Sequence, residues 1–244
     1  MPKFFVDREN IQDGKVTVVG DDAFHIARAL RMAVGDELTV SDKCGVDLYC
    51  RLERIRDDEC ILTVLSEQTC SAEPPAHITL FMAYPKGDKL ETVVQKAVEL
   101  GASVICPFES SRCIKRPAPD KAAKQTARLQ RIAEEASKQC GRGRLPKIEE
   151  PLRLKDILPR LGGYDITLFC YENENGTTLK SVLRSAEKRD SIAVIVGSEG
   201  GFSPEEAELI VSAGAVSVGL GPRILRCETA PDYALSAISY ELEL

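Results

Sequence analysis

From Ile78 to its end, the chain alternates short apolar runs with amphipathic helical stretches. "ITLFMAY" precedes "KLETVVQKAVELG", in which Leu90, Val93, Val94, Ala97 and Leu100 share one helix face and Gly101 closes the helix. "SVICPF" and the long helical stretch "DKAAKQTARLQRIAEEASKQ" follow. Further on, "DITLFCY" and "IAVIV" read as strands with a helix between them, about 179–188. "SPEEAELIVSAG", "AVSVGL" and "APDYALSAISYELEL" complete the series as helix, strand and helix. Parallel strands need a crossover, usually helical, so this rhythm predicts an α/β domain with a mostly parallel sheet buried on both faces.

Upstream the rhythm differs. "KVTVV", "ELTVSD", "VDLYCRLERI" and "CILTVLSE" tend to alternate apolar and polar residues, which predicts half-buried antiparallel strands. One helix interrupts them, "DDAFHIARALRM", with Phe24, Ile26, Ala27 and Leu30 expected on one face. The Pro-rich stretch "SAEPPAH" marks the change, so two domains are expected, residues 1–72 and 73–244.

Nine cysteines are scattered from Cys44 to Cys227 with no CxxC pair, which argues against a metal site or a disulfide framework. The charged start "MPKFFVDREN" is unlike a signal peptide, and no apolar run is long enough to span a membrane, so a cytoplasmic protein is expected. Charge is unevenly distributed. Between Arg112 and Lys147 stand 11 Lys/Arg and 3 Asp/Glu, a net of +8 in a chain whose total is −6. One basic island in an acidic chain suits a polyanionic partner, though a solvated helix face would look the same.

Two segments carry candidate chemistry. In "IAVIVGSEGGFSPEEAELI" a strand runs through a glycine turn into a helix that Ser203 can cap, with Pro204 at its first position and Glu206 closing a capping box. The turn has neither GxGxxG nor GK[ST] spacing, so it is neither a dinucleotide fingerprint nor a P-loop. Glu199 within it favours a neutral or cationic ligand over a polyphosphate. Gly197, Gly200 and Gly201 are expected to lie against that ligand, where a Cβ would clash. In "GLGPRILRCETAPDYAL", Arg223 and Arg226 follow a strand end, where α/β sheets place ligands, and Thr229 is a candidate N-cap for the last helix.

Together these stretches resemble the RsmE family of ribosomal RNA uracil-N3 methyltransferases, of the SPOUT class. "HIARALRMAVGDEL", "KGDKLETVVQKAVELGASVICPF" and "RIAEEASKQCGRGRLPKI" resemble its earlier blocks. "IVGSEGGFSPEE" and "GLGPRILRCETAPDYAL" resemble its two cofactor loops. Ser198 stands where the family usually has Pro, Leu129 near its usual Trp, and Lys138 in place of its usual Glu. The resemblance implies a trefoil-knotted SPOUT-type α/β domain, a PUA-like N-terminal β-barrel and a homodimer. It implies S-adenosylmethionine as methyl donor, with no metal, and N3 of uridine 1498 in 16S rRNA of the small ribosomal subunit as target. The implied cofactor contacts are Phe169, Tyr171, Glu172, Gly197, Ser198, Glu199, Gly200, Gly201, Leu220, Gly221, Ile224, Leu225 and Thr229.

N3 of uridine must lose a proton for methylation. Both histidines, His25 and His77, lie outside the cofactor motifs, which argues against a histidine base. Arg226 is the candidate stabiliser of the developing anion, and Glu199 and Glu228 are candidate proton acceptors. Cys227 reads as structural. The expected RNA contacts are Arg28, Arg31, Arg112, Lys115, Arg116, Lys138, Arg142, Arg144, Lys147 and Arg223. Two alternatives stand beside this reading. A nucleotide-dependent enzyme on a small metabolite leaves the basic island unexplained, and a non-catalytic RNA-binding module leaves the two cofactor loops unexplained.

Overall fold

A computed structural model describes residues 2–114 and 119–244. The chain forms two compact units. One holds the chain up to Glu73 together with Ser137–Leu145, and the other holds Pro74–Ala136 and Pro146–Leu244. The crossing at Glu73 falls inside the Pro-rich stretch, but the return of nine later residues to the first unit has no counterpart in the expected division at 72.

The first unit is a curled six-stranded sheet of β1 (Lys3–Phe5), β2 (Ile11–Gln12), β3 (Lys15–Val19), β4 (Glu37–Ser41), β5 (Val46–Ile55) and β6 (Glu59–Thr69). The strand order is β1-β4-β5-β6-β3-β2, with β1 parallel to β4 and every other pair antiparallel. The implied barrel is thus a half-barrel, ended by β1 and β2. Its core comes from alternating positions: Val16 and Val18 of β3, Leu38 and Val40 of β4, Leu48, Cys50 and Leu52 of β5, Cys60 and Leu62 of β6.

The helix expected over "DDAFHIARALRM" is interrupted. One α-turn, α1 (Asp21–Phe24), passes into a π-helical turn at His25–Ala29, and Arg31 takes a left-handed conformation at φ +53°. A wider turn shifts which side chains share a face. Ala23 and Ile26 are buried, whereas Phe24 and Leu30, expected on the core face, are 56% and 41% exposed.

The excursion Ser137–Leu145 is tied to this unit by backbone and charge. Glu73 accepts hydrogen bonds from the amides of Gly143 and Arg144, both at 2.9 Å, and from the Arg142 guanidinium at 2.9 Å. Gly143 O accepts from Gly45 N at 3.0 Å and from Ser41 Oγ at 2.7 Å. The Lys3 ammonium donates to Gly141 O at 2.7 Å and to Asp47 at 2.8 Å. A Cβ on Gly143 would overlap the Cys70 side chain, so only glycine lets the loop approach this closely.

Two expected RNA contacts are corrected here. The Arg142 side chain is 3% exposed and paired with Glu73, and Lys138 is largely buried with its ammonium on Asp22 at 2.8 Å. Both are drawn inward by carboxylates of their own unit, so neither is available to phosphate. Lys138, placed where the family usually has Glu, belongs to an internal ion pair. Lys115 and Arg116 lie outside the described residues.

The second unit is a fully parallel seven-stranded sheet with helices in the connections. In chain order it comprises β7 (His77–Ala83), α2 (Lys89–Glu99), β8 (Ala102–Glu109), α3 (Ala122–Cys140, its last turn in the first unit), β9 (Lys147–Ile148), β10 (Leu152–Arg153) and α4 (Leu154–Ile157). Then come β11 (Ile166–Cys170), α5 (Leu179–Ser185), β12 (Ser191–Val196), α6 (Pro204–Ser212), β13 (Val216–Val218) and α7 (Thr229–Glu243). The strand order is β10-β8-β7-β12-β11-β13, with β9 also on β8. Phe81, Phe108, Phe169 and Phe202 are all buried in its core.

Breaking a buried ion pair from one side leaves an uncompensated charge, at a cost of about 3–5 kcal/mol. Arg142→Met is therefore expected to destabilise the protein by about that amount, read by urea unfolding followed by circular dichroism. Lys147→Met, at an exposed position, is expected to stay within about 0.5 kcal/mol of the parent.

Candidate active site

The loops after β11, β12 and β13 leave the same edge of the sheet and enclose a cavity of about 490 Å³. The first contributes Tyr171, Glu172 and Asn175, the second Gly197, Ser198 and Glu199, and the third Gly219 to Cys227. Leu220, Ile224, Leu225, Val196 and Ala230 supply apolar wall. Of the expected cofactor contacts, Tyr171, Glu172, Gly197, Ser198, Glu199, Leu220, Gly221, Ile224 and Leu225 line this cavity, as do Arg223 and Arg226.

Four expected contacts do not line it. Phe169 is fully buried within β11. It stacks on Tyr171, ring centres 5.1 Å apart, and packs edge-on against Phe202, so it supports the wall from behind. The glycines of the turn are needed for a different reason than expected. A Cβ on Gly200 would lie 2.9 Å from Arg112 Cβ and 3.0 Å from its carbonyl, and one on Gly201, at φ +61°, would run into the Glu172 carboxylate. Gly197 does line the cavity, yet its missing Cβ points at Phe202, 2.9 Å from the ring. At all three glycines the missing Cβ faces protein: the Phe202 ring, Arg112 and the Glu172 carboxylate. Thr229 is the first residue of α7 rather than its cap. Glu228 holds the N-cap position, and its side chain is engaged elsewhere.

The turn is also locked from α6. Ser203 accepts from the Glu206 amide at 3.2 Å and Glu206 accepts from the Ser203 amide at 3.1 Å, the capping box expected from the sequence. The other Glu206 oxygen accepts from the Ser111 amide at 2.6 Å. Arg112, exposed, donates to Gly200 O at 3.1 Å, so the start of the basic island is tied to the glycine turn.

The electrostatic centre of the site is a lysine that sequence reasoning missed. The Lys89 ammonium lies 3.0 Å from Glu199 and 3.1 Å from Glu228, carboxylates about a quarter exposed. Both oxygens of Glu199 also accept from the Lys86 amide, at 3.1 and 3.2 Å. Burial alone would push the Glu199 carboxyl up, but hydrogen bonds from backbone amides and Lys89 outweigh it and hold it below its ordinary range. Glu228 is held low chiefly by the Cys227 thiol, 3.1 Å away, with help from its own amide and Lys89. Burial first, then the hydrogen bond to Glu228, push Cys227 up to about 12, so it is a protonated donor, consistent with a structural thiol. A signal for Lys89 does exist in the sequence. It is the first residue of α2, where a cation opposes the helix dipole at a cost of about 0.3–1 kcal/mol.

Arg226 is exposed at the cavity, and no ion pair holds it among the described residues. The Ser198 hydroxyl is buried with no hydrogen-bond partner, so the lining carries an unused polar group. Apolar wall, carboxylates and an unused hydroxyl fit a ligand with an aromatic base, hydroxyl groups and positive charge. Among the described residues no cluster of three or more His, Cys, Asp or Glu could hold a metal ion, and no helix is long and apolar enough to cross a membrane.

A family model described as an RNA methyltransferase domain matches residues 72–239. Ribosomal RNA small subunit methyltransferase E of Bacillus subtilis is 32% identical, over 100% of this chain and 98% of that protein. The crystal structure of a ribosomal RNA small subunit methyltransferase E from Neisseria gonorrhoeae, bound to S-adenosyl methionine, superposes with a TM-score of 0.86 at 30% identity, covering 99% and 98% of the two chains. A putative methyltransferase from Legionella pneumophila, in complex with the same cofactor, gives 0.85 at 29% identity, covering 98% and 97%. The expected SPOUT-type α/β fold is the one these neighbours share. With the family model spanning most of the second unit and a relative matching end to end, the chain belongs to the ribosomal RNA small subunit methyltransferase E family.

Proposed function

We propose that this protein transfers a methyl group from S-adenosylmethionine to N3 of a uridine in small-subunit ribosomal RNA, at the position the family resemblance gives as 1498 of 16S rRNA. The observation that carries the reading is the cavity formed by three strand-end loops, in which an unpaired arginine, Arg226, stands beside a carboxylate-lined apolar wall. When bound, the cofactor supplies an electrophilic methyl group on a positively charged sulfur. The residues that would hold it are Tyr171, Glu172, Gly197 to Glu199, and Leu220 to Leu225.

N3 lies on the Watson–Crick edge, so the base must be unpaired or extruded to reach the cavity. Once N3 gives up its proton, negative charge spreads over the ring, and Arg226, in the cavity lining, is the cation that would stabilise it. Glu199 and Glu228, held as anions by backbone amides, the Cys227 thiol and Lys89, take up a proton less readily than free carboxylates. Their role is therefore electrostatic, and Arg226 carries the larger share of the chemistry by lowering the cost of the uracil anion. The exposed cations Arg112, Lys147 and Arg223 are the phosphate contacts proposed for the second unit, with Arg31, Arg144 and the Asp57-paired Arg28 in the first. A homodimer belongs to the same reading. It is supported by Tyr233, Tyr240 and Leu244, large side chains left exposed at the end of the chain. Light scattering checks it.

Mass mapping of methylated nucleotides in ribosomal RNA, with and without this protein, tests the reaction directly. A methyl group at N3 of one small-subunit uridine is expected only with the protein, and an unchanged map overturns the reading. Arg226→Ala is expected to lower kcat by about 10²–10³-fold with little change in cofactor affinity, as for loss of one oxyanion donor. Arg144→Glu with Lys147→Glu should weaken RNA binding and flatten its log–log salt dependence by about 0.7 for each single-strand phosphate no longer neutralised. Titration calorimetry with the cofactor should give an unchanged affinity for this double variant.

A further inference from the structure

We propose that Lys89 is a positioning residue for methyl transfer, which joins the loop after β12 to the loop after β13 and keeps Glu228 away from Arg226. The proposal rests on the reading of this cavity as the methyl-donor site. Lys89 belongs to neither loop. It projects from the start of α2, and its ammonium meets Glu199 of one loop and Glu228 of the other. Two carboxylates within reach of one ammonium lie no more than about 6 Å apart, a range over which like charges repel appreciably. Without the cation the two loops carry matching charges toward each other.

A second consequence concerns the arginine. Glu228 is two residues from Arg226, and a hydrogen-bonded turn folds this stretch on itself, with Thr229 N and Ala230 N both 2.9 Å from Arg226 O. The groups around Glu228 are Lys89, the Cys227 thiol, Glu199 beyond Lys89, and Asp232 one turn into α7. Lys89 is the cation that occupies this carboxylate. Once it is removed, the nearest uncommitted cation in sequence is Arg226, and a Glu228–Arg226 pair would withdraw the guanidinium from the substrate. This explains why a lysine stands at the unfavourable end of a helix, since the position is set by the two loops rather than by α2.

The test compares the Lys89→Met, Lys89→Arg and Lys89→Met/Glu228→Gln variants with the parent. Each is assayed for cofactor affinity by calorimetry, for kcat and KM on small-subunit rRNA, and for thermal unfolding. Lys89→Met should raise KM for the cofactor and lower kcat at saturation by at least about tenfold each, with unfolding little changed. Lys89→Arg should recover most of both, because the bridging charge is kept. Lys89→Met/Glu228→Gln should raise kcat at least about fivefold above that of Lys89→Met, because Arg226 is released, while the cofactor KM stays raised. Parent-like kcat and KM in Lys89→Met, or a kcat loss that Glu228→Gln does not relieve, would overturn the proposal. A parent protein that itself fails to bind S-adenosylmethionine in calorimetry would instead overturn the reading of the cavity.

Discussion

Parallel strands cannot be joined by tight turns, and that constraint sets where the chemistry of this chain can lie. Each strand must be followed by a crossover before its parallel neighbour begins, so every carboxyl end points the same way. β11, β12 and β13 release their loops at one edge, and the cavity is the space those loops enclose. The ladder registers keep these ends level. Phe169 pairs with Ile195 and Ser217, and Cys170 with Val218, so the chain leaves all three strands within a residue or two of the same height.

The loops are held in shape by close packing of protein against the glycine turn. Phe202 fills the space under Gly197, Arg112 lies against Gly200, and Glu172 stands where a side chain on Gly201 would go. Across the front, Lys89 ties two of the loops with charge. Close packing fixes the loops, while hydrogen bonds and ion pairs together hold two acids ionised beside an arginine that no ion pair holds among the described residues. On the proposed reading the site works through preorganised charge rather than through a strong base. That agrees with the absence of histidine from the lining and with a Cys227 thiol that stays protonated.

Local signals reported the elements well, because strand and helix periods and the capping box at Ser203 depend on neighbours in sequence. They failed where a distant group decided the outcome. Arg142 looked like one cation of a basic island, and only folding brings Glu73, 69 positions away, to its guanidinium. The glycine turn was read as ligand-facing because composition reports that a Cβ is not tolerated, and does not report what it would strike. The helix at "DDAFHIARALRM" was read with an even 3.6-residue period, and the π-helical turn changed which side chains reach the core.

The sequence by itself determined the α/β alternation, the Pro-rich passage from one unit to the next, the two glycine-bearing loop motifs that line the cavity and the family to which they belong. Each is carried by contiguous residues, whose pattern survives without knowledge of the rest of the chain. Tertiary structure alone decided which cations remain free, what the glycines avoid, and that Lys89 joins Glu199 to Glu228 across separations of 110 and 139 positions. The reason is physical. Burial and ion pairing depend on distances through space, and a chain that folds by crossovers brings together residues that no local period relates.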